Sequence, residues 1–248
     1  MKHIVSFSGG KDSTAMLLRL LEEGRQVDDI LFFDTGWEFP EMLIHVNQVE
    51  KYIGRQITRL HPREPFTYWM LRRPIVANRG PNKGKVHRIG YGWPLPQRRW
   101  CTSLKVQTIN RYSEDSVQYI GIAADEIKRA KIANTKRKMF AYPLIEWGMT
   151  EADCLRYCYD QGFHWNGLYT HFTRASCFCC PLQKIGDLRT LRKHYPHLWK
   201  IMLKWDAYIT EHNKHNRGFM KYNTVHDMEE RFLREELEMA QSFASATN

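Results

Sequence analysis

Glycine, hydroxyl and charged residues follow the first apolar run of the chain, in the order Ser6-Phe-Ser8-Gly9-Gly10-Lys11-Asp12-Ser13. Adjacent glycines permit a tight turn in which backbone N–H groups can approach an anion closely. A helix that starts directly after the turn adds the positive end of its dipole. The hydroxyls and Lys11 can contact phosphate oxygens, and Asp12 can help to hold a divalent cation. The segment predicts a phosphate-binding loop rather than a simple helix cap.

The six cysteines form the second group of reactive side chains. Cys177 and Cys180 are spaced so that two thiolates can reach one metal ion from a single turn. Cys101 is a third candidate ligand and Cys179 a fourth. A set of thiolates suits an iron–sulfur cluster or zinc, and cysteines that only pack are the remaining alternative. Cys154 and Cys158 lie four residues apart on a predicted helix and are expected in the core.

Positive charge is concentrated in one stretch of the chain, which has a formal net charge of +10 overall. Twelve Lys and Arg residues lie between Arg55 and Lys105, with Glu64 as the only acid. A second basic run extends from Lys128 to Lys138. Such charge favours a polyanion, either nucleotide phosphates or a nucleic-acid backbone, although a solvated basic face is the alternative. Within this stretch, Asn78–Arg88 is expected to be a binding loop.

The composition predicts a folded cytoplasmic protein. The chain has 248 residues, of which 43% are hydrophobic and 26% charged, which excludes a disordered protein. No apolar run approaches the ~18 residues of a membrane span, and the first ten residues do not form a signal peptide. In a reducing compartment the cysteines are expected as thiols or metal ligands rather than disulfides.

Strands and helices alternate in the N-terminal half, which predicts an α/β fold with a mostly parallel sheet flanked by helices. The predicted strands are residues 2–7, 28–34, 56–60, 117–122 and 139–145. The predicted helices of this half are residues 12–23 and 38–53, and another opens near Cys101. Further helices are expected at 150–161, 182–194, 197–215 and 225–243, with a break at 164–181. We therefore predict a nucleotide-binding domain at 1–147 and a Cys-containing helical region at 148–248, packed on it.

The loop resembles the SGGxDS pyrophosphate loop of the adenine nucleotide α-hydrolases, the PP-loop ATP pyrophosphatases. Three later segments resemble motifs of the phosphoadenosine phosphosulfate (PAPS) reductase family in the same order: Asp34–Glu41, Gly121–Glu126 with Arg129, and Tyr142–Asp153. The resemblance implies an adenine nucleotide α-hydrolase-like, Rossmann-like fold. It also implies that ATP and Mg²⁺ are held by Ser6, Ser8, Gly9, Gly10, Lys11, Asp12, Ser13, Asp34, Thr35, Gly36, Gly121, Asp125 and Arg129. Of these, Lys11, Asp12 and Asp34 are the implied catalytic residues.

The segments Arg98–Lys105 and Cys177–Pro181 resemble the elements that bind a 4Fe–4S cluster in assimilatory adenylylsulfate reductases and in DNA phosphorothioation sulfurtransferases. Thr102 stands where those proteins have a second adjacent cysteine. Cys101, Cys177 and Cys180 are then the implied ligands, with Cys179 as the fourth candidate. Three protein ligands would leave one iron open, as in the related tRNA thiolases, where that iron can carry sulfide.

The position of the last cysteine separates the candidate functions. The family's sulfonucleotide reductases carry a nucleophilic cysteine in a C-terminal tail, whereas the 68 residues after Cys180 contain none. The leading hypothesis is ATP-dependent sulfur transfer to an acceptor, expected to be DNA or tRNA bound through Arg55–Lys105, with a sulfur-donor protein such as a cysteine desulfurase. A sulfonucleotide reductase is the second hypothesis. The third is a nucleic-acid-binding subunit with structural zinc.

Overall fold

The computed structural model describes residues 1–133, 139–175, 177–213, 218–220 and 223–246. By its contacts the chain divides into two compact units. Unit 1 comprises Met1–Arg63 and Thr102–Cys177, and unit 2 comprises Glu64–Cys101 and Phe178–Asn248. The predicted boundary at residue 147 lies inside unit 1, and the division of the chain into two domains there stays a prediction.

The elements are numbered in chain order. The strands are β1 (Lys2–Phe7), β2 (Asp29–Phe33), β3 (Thr58–Leu60), β4 (Pro74–Val76), β5 (Val86–Ile89), β6 (Ser116–Ile120) and β7 (Met139–Ala141). The helices are α1 (Lys11–Glu22), α2 (Pro40–Ile53), α3 (Phe66–Leu71), α4 (Trp100–Tyr112), α5 (Ile127–Ala133), α6 (Pro143–Glu146), α7 (Glu151–Asp160), α8 (Leu168–His171), α9 (Ile185–His194), α10 (Pro196–His212) and α11 (Val225–Ala246).

Unit 1 is built on a five-stranded sheet in the order β3-β2-β1-β6-β7. Every pair of neighbouring strands in it is parallel. The central strands read as nearly continuous apolar runs because helices cover both faces of a parallel sheet, and Ile30–Phe33 are buried accordingly. Helix α1 follows β1 directly and packs on α7. The predicted α/β fold with a mostly parallel sheet is confirmed.

Unit 2 combines α3 and the antiparallel hairpin β4–β5 with the three C-terminal helices α9, α10 and α11. Its core is aromatic and includes Trp93, Trp199 and Phe219, all buried. One carboxylate, Asp206 of α10, is fully buried in this core. It accepts hydrogen bonds from Trp93 Nε1 at 2.8 Å and from the backbone N–H of Val225 at 3.0 Å. Because Val225 begins α11, Asp206 fixes the start of that helix to α10.

Several sequence predictions are corrected by the structure. Strand β7 ends at Ala141 rather than at residue 145, because Pro143 begins a short helix, α6, where a proline needs no N–H partner. The predicted loop Asn78–Arg88 includes most of β5, and the predicted break at 164–181 contains α8 and a 3-10 turn at Trp165–Gly167. Helix α10 ends at His212. The basic residues Lys136–Lys138 lie outside the described residues.

No helix in the described part of the chain is long and apolar enough to cross a membrane.

Candidate nucleotide-binding site

The predicted phosphate loop lies at the carboxyl edge of the sheet in unit 1. Strand β1 is flanked by β2 on one side and β6 on the other, so the chain reverses its direction of winding between β1 and β6. Open parallel sheets bind their ligands in the crevice at this switch point. Three predicted segments follow these three neighbouring strands: residues 8–10 after β1, 34–36 after β2, and Gly121 after β6. The sheet thus brings segments distant in sequence to one edge.

Gly9 must be glycine for two reasons. Its φ is +77°, which L side chains rarely adopt, and an added Cβ would lie 2.5 Å from Met42 Sδ. Its carbonyl accepts a hydrogen bond from Trp165 Nε1 at 2.7 Å. Serine hydroxyls fix the rest of the turn, since Ser13 Oγ donates to the Gly10 carbonyl at 3.0 Å and lies 3.0 Å from Ser8 Oγ. The loop is held rigidly by its own hydroxyls and an indole.

The first turn of α1 offers unpaired backbone donors. Gly10 precedes the helix and provides no side-chain cap. The N–H of Lys11 donates to Tyr169 Oη at 2.9 Å. The N–H groups of Asp12 and Ser13 have no protein acceptor among the described residues, as is usual for the start of a helix. These two donors, together with the helix dipole, are the features that binding of an anion at a helix start requires, and the binding of phosphate here stays a prediction.

The Lys11 side chain is buried and paired with carboxylates. Its Nζ donates to Glu151 of α7 and lies 3.5 Å from Asp12 Oδ1. Burial alone would lower the pKa of Lys11, but the hydrogen bond to Glu151 and the two negative charges raise it above its ordinary value. The side chain therefore ties α1 to α7, and its predicted contact with phosphate stays a prediction.

Asp12 lies in the same buried, charged group. Burial raises the pKa of its carboxyl to about 6, the charges of Glu151 and Glu126 act in the same direction, and Lys11 opposes them. A carboxylate that is costly to ionise gains from a nearby cation, which is consistent with its predicted role beside Mg²⁺.

The segment after β6 packs directly against the loop. An added Cβ on Gly121 would lie 3.0 Å from the Cα and N atoms of Ser13, so a side chain here would require the first turn of α1 to shift by a few tenths of an ångström. Asp125 Oδ1 accepts a hydrogen bond from the N–H of Glu151 at 3.2 Å. Arg129 is ion-paired with Glu126. Gly121 and Asp125 thus position the loop and the partner of Lys11, whereas Arg129 is exposed and engaged within its own segment.

The segment after β2 contains a carboxylate that sequence reasoning missed. Asp34 Oδ1 accepts from the N–H of Gly36 at 2.7 Å, and Thr35 Oγ1 donates to Glu38 at 2.7 Å. Burial raises the pKa of Glu38 to about 7, and the neighbouring charge of Asp34 contributes, while Thr35 and Lys105 oppose the shift. No local signal in the sequence marks Glu38, because one of the groups that set its pKa, Lys105, lies far along the chain.

The Ser6 side chain contacts the neighbouring strand β6. Ser6 is the penultimate residue of β1, and its hydroxyl lies 3.5 Å from Gln118 Oε1 of that strand. The structure therefore gathers the loop residues, Asp34–Gly36 and Gly121 at one edge of unit 1.

A sequence profile of the phosphoadenosine phosphosulfate reductase domain matches residues 2–183. The chain belongs to the PAPS reductase family. The match covers the loop, the segments after β2 and β6, and the three neighbouring cysteines.

Relatives of this family member include an uncharacterized protein of Methanocaldococcus jannaschii, 30% identical over 230 residues, which cover 87% of this chain and 43% of that protein. An uncharacterized nin region protein of Escherichia phage lambda is 32% identical over 154 residues, 53% of this chain and 51% of that protein. The chain thus spans about half the length of these curated relatives. Among solved structures, the U34-tRNA thiolase NcsA from Methanococcus maripaludis with its 4Fe–4S cluster has a TM-score of 0.46 and 16% identity, covering 85% of this chain and 72% of that one.

The candidate metal ligands of this PAPS reductase family member are divided between the units. Cys177 belongs to unit 1, where its Sγ lies 3.5 Å from Thr35 Oγ1. Cys101, Cys179 and Cys180 belong to unit 2. Among the described residues, no three His, Cys, Asp or Glu side chains are grouped as a metal ion requires. The assignment of these four cysteines to a metal stays a prediction.

Cys154 and Cys158 are fully buried, which confirms that they belong to the core. Burial, with a smaller contribution from Asp12, raises the pKa of the Cys154 thiol to about 12. Both side chains therefore remain protonated thiols at neutral pH.

We expect Glu38 to make the stability of the protein depend on pH. Its folded-state pKa is about 7 against an ordinary value of 4.5, so folding takes up a proton between these values. The contribution of Glu38 is then greatest below pH 4.5 and is lost as the pH rises to 7. Relative to Glu38→Gln, the wild type should lose at most about 3 kcal/mol of unfolding free energy over this interval.

Urea unfolding at a series of pH values measures this difference. Glu114→Gln, which removes an exposed carboxylate of unit 1, is the control and should leave the pH dependence of the wild type unchanged. Parallel curves for the wild type and Glu38→Gln would contradict the assignment.

Proposed function

We propose that this PAPS reductase family protein binds ATP at the edge of the sheet in unit 1 and transfers sulfur to an acceptor after adenylating it. The observation that carries the proposal is the anion-binding position formed by the turn at Gly9 and the unpaired N–H groups of Asp12 and Ser13. Its support is the location of this position at the switch point of a parallel sheet and the membership of the family.

In the proposed reaction the loop holds the β- and γ-phosphates and leaves the α-phosphate exposed. An oxygen of the acceptor attacks the α-phosphorus, the α–β P–O bond breaks, and pyrophosphate leaves. The N–H groups of the loop stabilise the charge on this leaving group, because they are already oriented before reaction. Asp12 and Asp34 would hold the accompanying Mg²⁺. A donor sulfur at the oxidation level of sulfide then displaces AMP from the acceptor.

Cys177 brings a thiol to the same segment as Asp34, because its Sγ lies beside Thr35 Oγ1. By the chemistry of their donor atoms, Cys101, Cys177, Cys179 and Cys180 fit an iron–sulfur cluster or zinc. A cluster with an open iron would supply bound sulfide. We propose a nucleic acid as the acceptor, since the stretch Arg55–Lys105 is strongly basic.

The products of ATP cleavage test the proposed function. With a pool of tRNA or single-stranded DNA as acceptor and inorganic sulfide as the sulfur donor, we expect AMP and pyrophosphate in equal amounts and no ADP. Without sulfide, pyrophosphate is expected while AMP stays on the acceptor. Release of ADP and phosphate, or no cleavage with any nucleic acid tested, would overturn the proposal.

Metal content after anaerobic purification is a separate prediction. We expect about four irons and matching acid-labile sulfide per chain, both lost in Cys101→Ala and Cys177→Ala. Cys154→Ala is the matched control and should retain the metal, since that thiol is buried in the core. One zinc per chain in place of iron would exclude the cluster and favour a structural site.

A sulfonucleotide reductase is the second candidate, and the match to the PAPS reductase domain favours it. A reductase would use a sulfonucleotide where the first candidate uses ATP, and it would release sulfite where the first candidate releases pyrophosphate. Release of sulfite from adenylylsulfate or its 3′-phosphate, dependent on thioredoxin, together with no cleavage of ATP, would select this candidate.

A further inference from the structure

Three aromatic rings and a guanidinium form a continuous stack in unit 2. The rings of Trp69 and Tyr91 are nearly parallel, with centroids 6.0 Å apart and an interplanar angle of 6°. Tyr91 stacks in turn on Trp100 at 5.7 Å. The guanidinium of Arg73 lies 3.9 Å from the centre of the Trp69 ring and 5.8 Å from that of the Tyr91 ring, so it packs against both rings. Trp100 is buried, whereas the other three side chains are partly exposed, so the stack is anchored in the core and reaches the surface.

The backbone fixes this stack in place. The N–H of Tyr91 donates to the Trp69 carbonyl at 2.9 Å, and the N–H of Gly90 donates to the Arg73 carbonyl at 2.7 Å. Gly90 has a φ of +71°, and an added Cβ would overlap the carbonyl of Met70. The end of the hairpin β4–β5 is thereby joined to α3. The stack is preorganised, so a ligand that extends it loses little conformational entropy.

Positive charge surrounds the stack without local neutralisation. Residues 64–101 contain eight Lys and Arg residues and one acid. Seven of the eight form no ion pair with any residue that the structure describes; these are Arg72, Arg73, Arg79, Lys83, Lys85, Arg88 and Arg98. Most of this charge lies on the exposed hairpin and the residues beside it.

Arg88 and Arg98 give the strongest indication of a place where an anion can bind. The Nε of Arg88 is buried and has no hydrogen-bond partner within the described part of the chain. Burial and the nearby charge of Arg98 lower the pKa of Arg88. Arg88 is half-buried and Arg98 is exposed. An anion bound by both side chains would give Arg88 Nε an acceptor and offset the repulsion between the two charges.

We propose that Trp69, Arg73, Arg88, Tyr91 and Arg98 form a binding surface for single-stranded nucleic acid, with a phosphate between Arg88 and Arg98 and an unpaired base stacked at the Trp69–Arg73 end. Flat aromatic and guanidinium faces bind bases only when these are unpaired, whereas a duplex presents mainly its backbone. The inference deepens the proposed function, on which it rests for the nature of the acceptor, by naming the region of the acceptor that unit 2 holds.

Fluorescence anisotropy with the full chain tests the surface, using a labelled single-stranded RNA, the DNA of the same sequence and the corresponding duplexes. We expect the single strands to bind more tightly than the duplexes. The double variant Arg88→Gln/Arg98→Gln should bind single strands at least about tenfold more weakly. Because one phosphate contact is lost, the slope of log K against log salt should become less steep by about one. Trp69→Leu should weaken single-strand binding about tenfold and leave duplex binding nearly unchanged.

The matched control is Lys51→Gln/Arg111→Gln, which removes two exposed positive charges from unit 1. It should change binding by no more than about twofold if the contact is local. Equal losses in both double variants, or no preference of the wild type for single strands, would overturn the inference. Thermal melting of each variant identifies any that fails to fold.

Assays of ATP cleavage with and without nucleic acid keep the two proposals apart. If the wild type binds single strands but never releases pyrophosphate, the proposed function fails and the binding surface stands. If it forms AMP and pyrophosphate with an acceptor while the arginine and tryptophan variants bind normally, the surface fails and the proposed function stands. RNA bound more tightly than DNA of the same sequence identifies RNA as the ligand, and the reverse order identifies DNA.

Discussion

Gly9→Ala is expected to reduce ATP binding and cleavage at least about 100-fold, while Gly10→Ala leaves both within a few-fold of the wild type. Of these two glycines, only Gly9 has a positive φ, and only at Gly9 would a Cβ lie as close as 2.5 Å to a neighbouring atom, Met42 Sδ. The left-handed conformation costs an alanine about 1–2 kcal/mol, and the overlap with Met42 adds to this. The turn is then expected to relax, which redirects the N–H groups that the proposed reaction uses.

Gly10 is a close control because it lies in the same turn. Its φ is −74°, which alanine adopts readily, and an added Cβ would have only ordinary contacts, at 3.5 Å from Ser8 Oγ and Tyr169 Oη. The expected cost is the small preference of glycine over alanine before a helix, below about 1 kcal/mol. Isothermal titration with a non-hydrolysable ATP analogue measures the binding, and circular dichroism shows whether each variant is folded. Normal affinity in folded Gly9→Ala would refute the role of the turn.

The turn at Gly9 and Gly10 and the order of the elements around it could be predicted from the sequence because both depend on local signals. The apolar runs of β1 and β2 are continuous, and Gly9 and Gly10 interrupt the pattern where α1 begins. The carboxyl-edge positions of Asp34 and Gly121 then follow from the parallel sheet. The buried face of α7 could also be predicted, since Cys154 and Cys158 lie four residues apart on one side of that helix.

Features that depend on distant residues could not be predicted. Glu151 pairs with Lys11 from 140 positions away, and the pKa of Glu38 depends in part on the charge of Lys105 in α4. The hairpin β4–β5 was missed because its strands are three and four residues long and its sequence is dominated by charge, proline and glycine. Two of its apolar residues, Val76 and Val86, are exposed. The alternation of apolar and polar residues that identifies a half-buried strand is therefore absent.

The second large effect is expected in unit 2, where Asp206→Ala should lower the free energy of unfolding by about 3–5 kcal/mol. Asp206 is fully buried and accepts four hydrogen bonds: from Trp93 Nε1, from the N–H of Val225, and from the N–H and Nδ1 of His226. Alanine would leave the indole N–H and the first N–H groups of α11 without acceptors, and would open a cavity beside them.

The other substitutions separate charge from hydrogen bonding. Asp206→Asn retains one acceptor oxygen but turns an amide toward a group of donors, so its loss should be smaller than that of alanine and still exceed about 1 kcal/mol. Asp160→Ala, which removes an exposed carboxylate, should change the stability by less than about 0.5 kcal/mol. Urea unfolding monitored by tryptophan fluorescence measures all three. If Asp206→Ala were no less stable than Asp160→Ala, the buried carboxylate would not be what fixes the start of α11, and the stability of unit 2 would have to come from its aromatic core alone.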